Sequence, residues 1–249
     1  MATRLMGRAV MRLLQHIAAT LLLIGLSCPV AQAAGQADPL ADEIARRAAA
    51  KWRDVLARID SDEATLAACR ASSDACSPAA RRLLELVERG RQRAGRARLG
   101  EINRAVNLTI RAASDVSQYG ADDFWSAPLA TLEKGAGDCE DYAILKYLAL
   151  REAGISPDDL RLLIVSYPRR GIMHAVLAVH LDEEWLLLDN LTMVMVNSLE
   201  ATQYLPLIAF DYQAMTTFAA GSPASQQAPA AIANISSLPK DLPSRSVTR

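Results

Sequence analysis

The hydrophobic spacing of this chain changes once, at Gly154, and that change dictates the kind of fold open to it. Upstream, apolar residues recur at intervals of three and four, the spacing of one helix face. Downstream they alternate at two, the spacing of a strand. Helices first and strands joined by short turns afterwards give an α+β fold with an antiparallel sheet. Ile44, Ala48, Trp52, Val55 and Ile59 mark a first helix over 38–60. Pro78 suits the first turn of a second helix, followed by Leu83, Leu84 and Val87 and by dense arginines as far as Arg98. That arginine run, from Arg81, reads as a solvated helix face. Ile102, Val106 and Ile110 share a face of a third helix over 99–113. A turn-rich connector at 122–128 carries Phe124 and Trp125. The strongest helix runs over 139–153 and ends at Gly154; Ala143, Tyr147 and Leu150 bury one side of it. Strands follow at 160–167, 172–181 and 185–190, with a short fourth at 194–198. There is no internal repeat.

The two ends of the chain have a different character. Arg4, Arg8 and Arg12 precede an apolar stretch from Leu13 to Leu26, and Ala31-Gln32-Ala33 is a small-residue cleavage signature. Residues 1–33 therefore read as a secretory signal peptide, with the mature chain starting near Ala34. An uncleaved membrane anchor is the alternative. From Gly221 to 249 the chain is rich in Pro, Ala, Ser and Gln, the composition of a disordered tail. Between them, 34–220 has the length of a single domain. Loss of the leader removes three arginines and no acids, leaving 24 basic against 28 acidic residues, a net charge of −4. That balance excludes nucleic acid as the main partner.

An oxidising compartment gives the cysteines meaning. Cys28 leaves with the leader, so Cys69, Cys76 and Cys139 remain. Cys69 and Cys76 lie seven apart in a polar segment and read as a local disulfide. Cys139 is left unpaired, in Gly135-Ala136-Gly137-Asp138-Cys139-Glu140-Asp141-Tyr142 at a helix start. There, free N–H groups and the helix dipole favour the thiolate, the nucleophilic form. A buried inert thiol is the competing reading. The backbone N–H of Cys139 is an oxyanion-hole candidate.

A cysteine nucleophile needs a base, and the mature chain has only His174 and His180. His174 opens the second strand and is the stronger candidate; His180 lies beside the acidic turn. Asp189 ends the apolar run Leu186-Leu187-Leu188 and could orient the imidazole or merely cap the strand. A two-residue turn at Asp182-Glu183 pairs Asp189 with Val176 and puts it on the face of His174, on the diagonal. A turn one residue longer puts it on the other face.

Around Cys139, Asp138, Glu140 and Asp141 have two readings. They cap the helix and match its dipole, or they hold a hard cation such as calcium, which takes several oxygen ligands. Without a cation, three neighbouring acids raise the cysteine pKa. Trp125 either anchors the connector or offers its indole N–H to a substrate carbonyl.

Asp123-Phe124-Trp125-Ser126-Ala127-Pro128, the Gly135–Ala143 motif, Lys146, Gly154-Ile155, His174-Ala175-Val176-Leu177 and Leu188-Asp189-Asn190 together resemble the bacterial transglutaminase-like cysteine peptidases of the LapG type. The resemblance spans roughly Asn103 to Asn197. It implies a papain/transglutaminase-like core in which the catalytic helix packs on the antiparallel sheet, with Cys139, His174 and Asp189 as the triad. It implies a periplasmic, calcium-dependent endopeptidase that cuts a large surface adhesin and releases biofilm cells. It also implies restraint by an inner-membrane receptor for cyclic di-GMP. Two other classes use the same residues: an amidase or transglutaminase working through the same triad, and a catalytically silent binding module that holds a partner in the groove. The helices before Arg98 fall outside the resemblance.

Overall fold

The computed structural model describes residues 39–218 apart from Ser73 and Ala75. The leader over 1–33 and the tail over 221–249 lie outside the described residues. Three helices come first: α1 (Pro39–Ala71), α2 (Pro78–Arg91) and α3 (Gly95–Thr109). The first helix runs well past 60. Its buried stripe is Ala45, Trp52, Val55, Ile59, Leu66 and Cys69, while Ile44, expected on that face, is half exposed. The stripe is one position out of phase at its start and correct from Trp52 onward. Ser77 caps α2 by accepting the N–H of Ala80 at 3.1 Å, and Pro78 occupies the first turn, where its missing N–H costs nothing. The arginine run is not one continuous helix: α2 stops at Arg91 and α3 restarts at Gly95 (φ 51°). Cys69 and Cys76 are bonded to each other, tying the end of α1 to the start of α2.

Between α3 and the connector, β1 (Arg111–Ala112) pairs in parallel with β2 (Ala136–Gly137), with Arg111 opposite Ala136 and Ala112 opposite Gly137. The apolar spacing predicts a helix through residue 113, but the helix ends at Thr109 and these residues pair as a strand. The short helices α4 (Asp115–Tyr119) and α5 (Pro128–Lys134) lie between the two strands. The chain then enters α6 (Cys139–Glu152), the centre of the molecule. Every residue from Tyr142 to Leu150 is buried, Lys146 included. The reason is that α6 is packed from several directions: α2, α3 and α5 lie against it, and it rests on strands β3 (Leu160–Tyr167) and β4 (Ile172–Leu181). Gly154, at φ 95°, ends the helix, a backbone region that glycine enters without a Cβ penalty.

The sheet is wholly antiparallel and runs β6-β5-β4-β3-β7-β8, completed by β5 (Glu184–Leu188), β6 (Val196–Asn197), β7 (Leu205–Phe210) and β8 (Met215–Thr217). The alternation in the sequence predicts neither β7 nor β8. Leu181 pairs with Glu184 across Asp182 and Glu183, both in the left-handed region (φ 50° and 64°), which is the two-residue type I′ hairpin. Alternate side chains of β4 serve two cores. Ala175, Leu177 and Val179 pack towards the helices. Val176 and Ala178 pack on the other face with Trp185, Leu187, Ala201 and Tyr204.

Candidate active site

Cys139 is the first residue of α6 and the free cysteine among the described residues. The ladder between β4 and β5 stops at Leu177–Leu188. Just beyond it, the backbone N–H of Ala175 faces the Cys139 sulfur. The sulfur also lies 3.2 Å from Oε2 of Glu140. The helix start therefore does not win the contest for the thiol's charge. Burial pushes the pKa up, Glu140 pushes it further, and the Ala175 N–H opposes them without reversing the sign.

His174 and Asp189 meet directly, Nε2 to Oδ1 at 2.8 Å, and both are almost fully buried. The hairpin explains the meeting. Continuing the register one step past Leu177–Leu188 sets Asp189 opposite Val176, on the diagonal from His174 and on the same face. The N–H of Leu191 adds a second donor to Oδ1 at 2.9 Å, and the Tyr204 hydroxyl donates to Oδ2. These three donors hold Asp189 below the usual carboxylate range despite its burial. Cys139 reaches β4 at Ala175, next to His174 in the chain; among the described residues no hydrogen bond joins sulfur to imidazole, and the thiol donates to Glu140. His180 sits elsewhere, 3.4 Å from Asp159.

A further acid, Asp115, joins Asp138, Glu140 and Asp141 around Cys139. Asp115, Asp138 and Glu140 converge, each offering an oxygen within 4.8 Å of the others. Asp115 comes from the start of α4 and is delivered by the β1–β2 pairing, with Ala113 N–H donating to Gly137 C=O at 2.9 Å. No local spacing marks it. Asp141 adjoins this group: burial, with Asp138 and Asp115 adding to it, pushes its carboxyl up to about 7, and its Oδ2 is buried without a partner. Its Oδ1 accepts the N–H of Ser126 at 2.8 Å, fastening α6 to the connector. Gly137 allows the close approach: a Cβ there would lie 2.6 Å from the Asp141 Cβ.

Asp138 occupies the N-cap position, yet its side chain makes no cap hydrogen bond. Its Oδ1 is buried without a partner, as is Oδ1 of Asp115. Burial above all raises Asp138 to about 6, against a hydrogen bond with Glu140 and helped by the charges of Asp115 and Asp123; burial and then Asp138 raise Glu140 to about 9, and burial and Asp123 raise Asp115. Helix capping does not account for this group. Buried carboxylates whose oxygens lie this close together, with Oδ1 of Asp115 and of Asp138 unpartnered, fit a hard divalent cation such as calcium.

Trp125 is buried, packs edge-on against Phe210 at 6.0 Å, and donates its indole N–H to Asp123 at 3.0 Å. That is the anchoring role. Two residues gained importance only in three dimensions. Tyr204 lies between His174 and Tyr167. Lys146 is fully buried on α6, its amine has no hydrogen-bond partner, and burial pulls its pKa down to about 7, against the pull of Asp189.

The family model described as bacterial transglutaminase-like cysteine proteinase, BTLCP, matches residues 63–214, more than half of the chain. The chain belongs to this family. Membership of the BTLCP family makes a cysteine proteinase the supported enzyme class. Among solved structures, LapG of Legionella pneumophila is 22% identical, covering 70% of this chain and 96% of that one with a TM-score of 0.52. Its EGTA-treated form, also 22% identical, covers 65% of this chain and 87% of that one at 0.53. Its calcium-bound form, 22% identical, covers 65% and 92% at 0.52. At this identity the likeness is one of fold: helices packed on an antiparallel sheet. No curated protein sequence matches the chain. Among the described residues no helix is long and apolar enough to cross a membrane.

Proposed function

We propose that this BTLCP member is a periplasmic, calcium-dependent cysteine endopeptidase with Cys139 as nucleophile, His174 as base and Asp189 as its orienting partner. The observation that carries the reading is the buried His174–Asp189 hydrogen bond next to the point where the free thiol meets β4. With Nε2 committed to Asp189, the imidazole has Nδ1 left to exchange a proton with sulfur. Catalysis requires the Cys139 side chain to turn from Glu140 to that nitrogen. The thiolate then attacks a peptide carbonyl, and the backbone N–H of Cys139 stabilises the oxyanion. The C–N bond breaks as His174 protonates the leaving amine. Water, deprotonated by His174, resolves the thioester and regenerates the thiol.

Asp115, Asp138 and Glu140 would hold the calcium. Bound there, the ion supplies positive charge that offsets the acids now raising the thiol pKa. The calcium-bound LapG neighbour supports this part of the reading. The substrate we propose is a large surface adhesin, whose cleavage releases cells from a biofilm, under restraint by an inner-membrane receptor for cyclic di-GMP. The family resemblance and the leader-like N-terminus support those last elements.

The test incubates purified protein with fragments of co-encoded large surface proteins, with calcium or with EGTA. Mass spectrometry in the presence of an added amine separates hydrolysis from acyl transfer. Cleavage should need calcium and vanish in a folded Cys139→Ala variant. Proteolysis that survives that substitution removes the nucleophile from the scheme.

A further inference from the structure

Asp189 is held by two of its faces, and only one of them is explained by the His174 bond. The imidazole Nε2 and the Leu191 N–H both approach Oδ1. The other oxygen, Oδ2, takes the hydroxyl of Tyr204, fifteen residues further along. Tyr204 is 4% exposed. Its ring lies tilted against the His174 ring with centroids 5.9 Å apart, and it is stacked edge-on against Tyr167 at 5.1 Å. The residue is itself held in place: Leu205 begins β7, which pairs with β3, and the Tyr204 N–H donates to Ala201 C=O at 3.2 Å. One rigid side chain thus touches both members of the His174–Asp189 pair. A phenylalanine would fill the same space, so packing alone does not require the hydroxyl, and a buried hydroxyl carries a desolvation cost that its hydrogen bonding, to Asp189 first and with Gln203 beside it, recovers.

We propose that Tyr204 is a positioning residue for the His174–Asp189 pair: the phenol fixes the plane of the carboxylate through Oδ2, the ring walls the imidazole, and Oδ1 is thereby presented to Nε2. A carboxylate tied by one oxygen can rotate about its Cβ–Cγ bond; tied by both, it cannot. This role rests on the peptidase reading for its purpose, though not for its geometry.

Two measurements on Tyr204→Phe separate the two. The low-field proton resonance of the His174 ring N–H reports the bond to Asp189 without any substrate. Alkylation of Cys139 by iodoacetamide reports the imidazole's service to the thiol. In a Tyr204→Phe protein that melts close to wild type, the resonance should move and exchange faster with solvent, and alkylation should slow roughly tenfold, the loss of one hydrogen bond to a charged group. Tyr167→Phe, which alters the neighbouring ring without touching Asp189, should leave both readouts in place. A folded Tyr204→Phe variant with an unmoved resonance overturns the proposal, whatever happens to alkylation. Should that variant not fold, 3-fluorotyrosine at position 204 keeps the shape and alters only donor strength; the resonance must still move, and a fixed one overturns the proposal. Alkylation of wild type that His174→Ala does not slow would instead sink the peptidase reading, with the resonance still deciding Tyr204.

Discussion

Lys146→Met is the substitution whose effect the structure specifies most tightly. The amine lies fully buried on α6 with no hydrogen-bond partner, and its pKa falls from 10.5 to about 7 chiefly through burial. The folded value lies below the unfolded one, so below about pH 7 both states hold the proton and the fold bears the whole cost of a buried charge. Between about pH 7 and 10.5 the unfolded chain binds a proton that the native state does not. Stability from this group therefore rises with pH, by up to about 1.4 kcal/mol per unit and about 5 kcal/mol in all. Methionine matches lysine in length and carries no charge, so the variant lacks this dependence. Near neutrality Lys146→Met should be more stable than wild type, and its advantage should shrink by about 3 kcal/mol between about pH 7.5 and about pH 9.5. Urea unfolding of both proteins at matched pH measures the difference directly. The raised carboxylates near Cys139 titrate in both proteins and drop out of the comparison. A stability difference that stays flat across that window would falsify the reasoning, because it would mean that Lys146 remains charged in the native state.

Three further outcomes follow from the acidic group. Calcium at a hundredfold excess over its dissociation constant should stabilise the protein by about 3 kcal/mol in thermal unfolding. Asp115→Asn and Asp138→Asn should abolish that gain and Asp141→Asn should keep it; equal loss in all three would put Asp141 among the ligands. In EGTA, Glu140 at about 9 and Asp138 at about 6 lie above their unfolded values of 4.5 and 3.8. Their neutral forms favour the fold at low pH, so stability should fall as pH rises towards 9, and saturating calcium should remove the fall. Gly137→Ala would set a Cβ 2.6 Å from the Asp141 Cβ and 2.8 Å from its Oδ2, so it should cost about 1–3 kcal/mol by chemical denaturation, more than Gly100→Ala, where the nearest atom is 3.5 Å away.

The parts of the site that were legible in the sequence are those fixed by local chemistry. A helix opening at Cys139 shows in its glycines, first-turn acids and terminal Gly154. The His174–Asp189 diagonal follows from counting residues through a two-residue turn, since strand period and turn length leave one register. What the sequence hid depends on contacts across the fold. Asp115 reaches the acidic group only because two-residue strands pair in parallel, and strands that short carry no periodic signal. Asp141 looked identical to its neighbours in sequence, yet helix geometry turns it towards Ser126. Tyr204 precedes a strand whose alternation is broken by Pro206, so neither the strand nor its role announced itself. Lys146 sits in a helix buried on every side, where an amphipathic count gives no warning of a lone charge.

The same distinction gives α1 a purpose that its apolar stripe does not reveal. Its polar residues reach the connector that supports the site. Lys51 donates to the Asp123 carbonyl at 2.6 Å and Arg58 to the Trp125 carbonyl at 2.7 Å. Asp62 accepts the N–H of Leu129 at 2.9 Å, supplying at the start of α5 the cap that Ala127 cannot. The connector in turn donates its own N–H groups inward, Phe124 to Asp115 and Ser126 to Asp141. Residues of α1 thus hold the backbone whose donors orient two of the acids beside Cys139. A buried carboxylate is stable only while its donors stay in place. Loosening α1 should therefore reach the acidic group before it reaches the His174–Asp189 pair, which is built from the hairpin and from Tyr204 on the other face of the sheet.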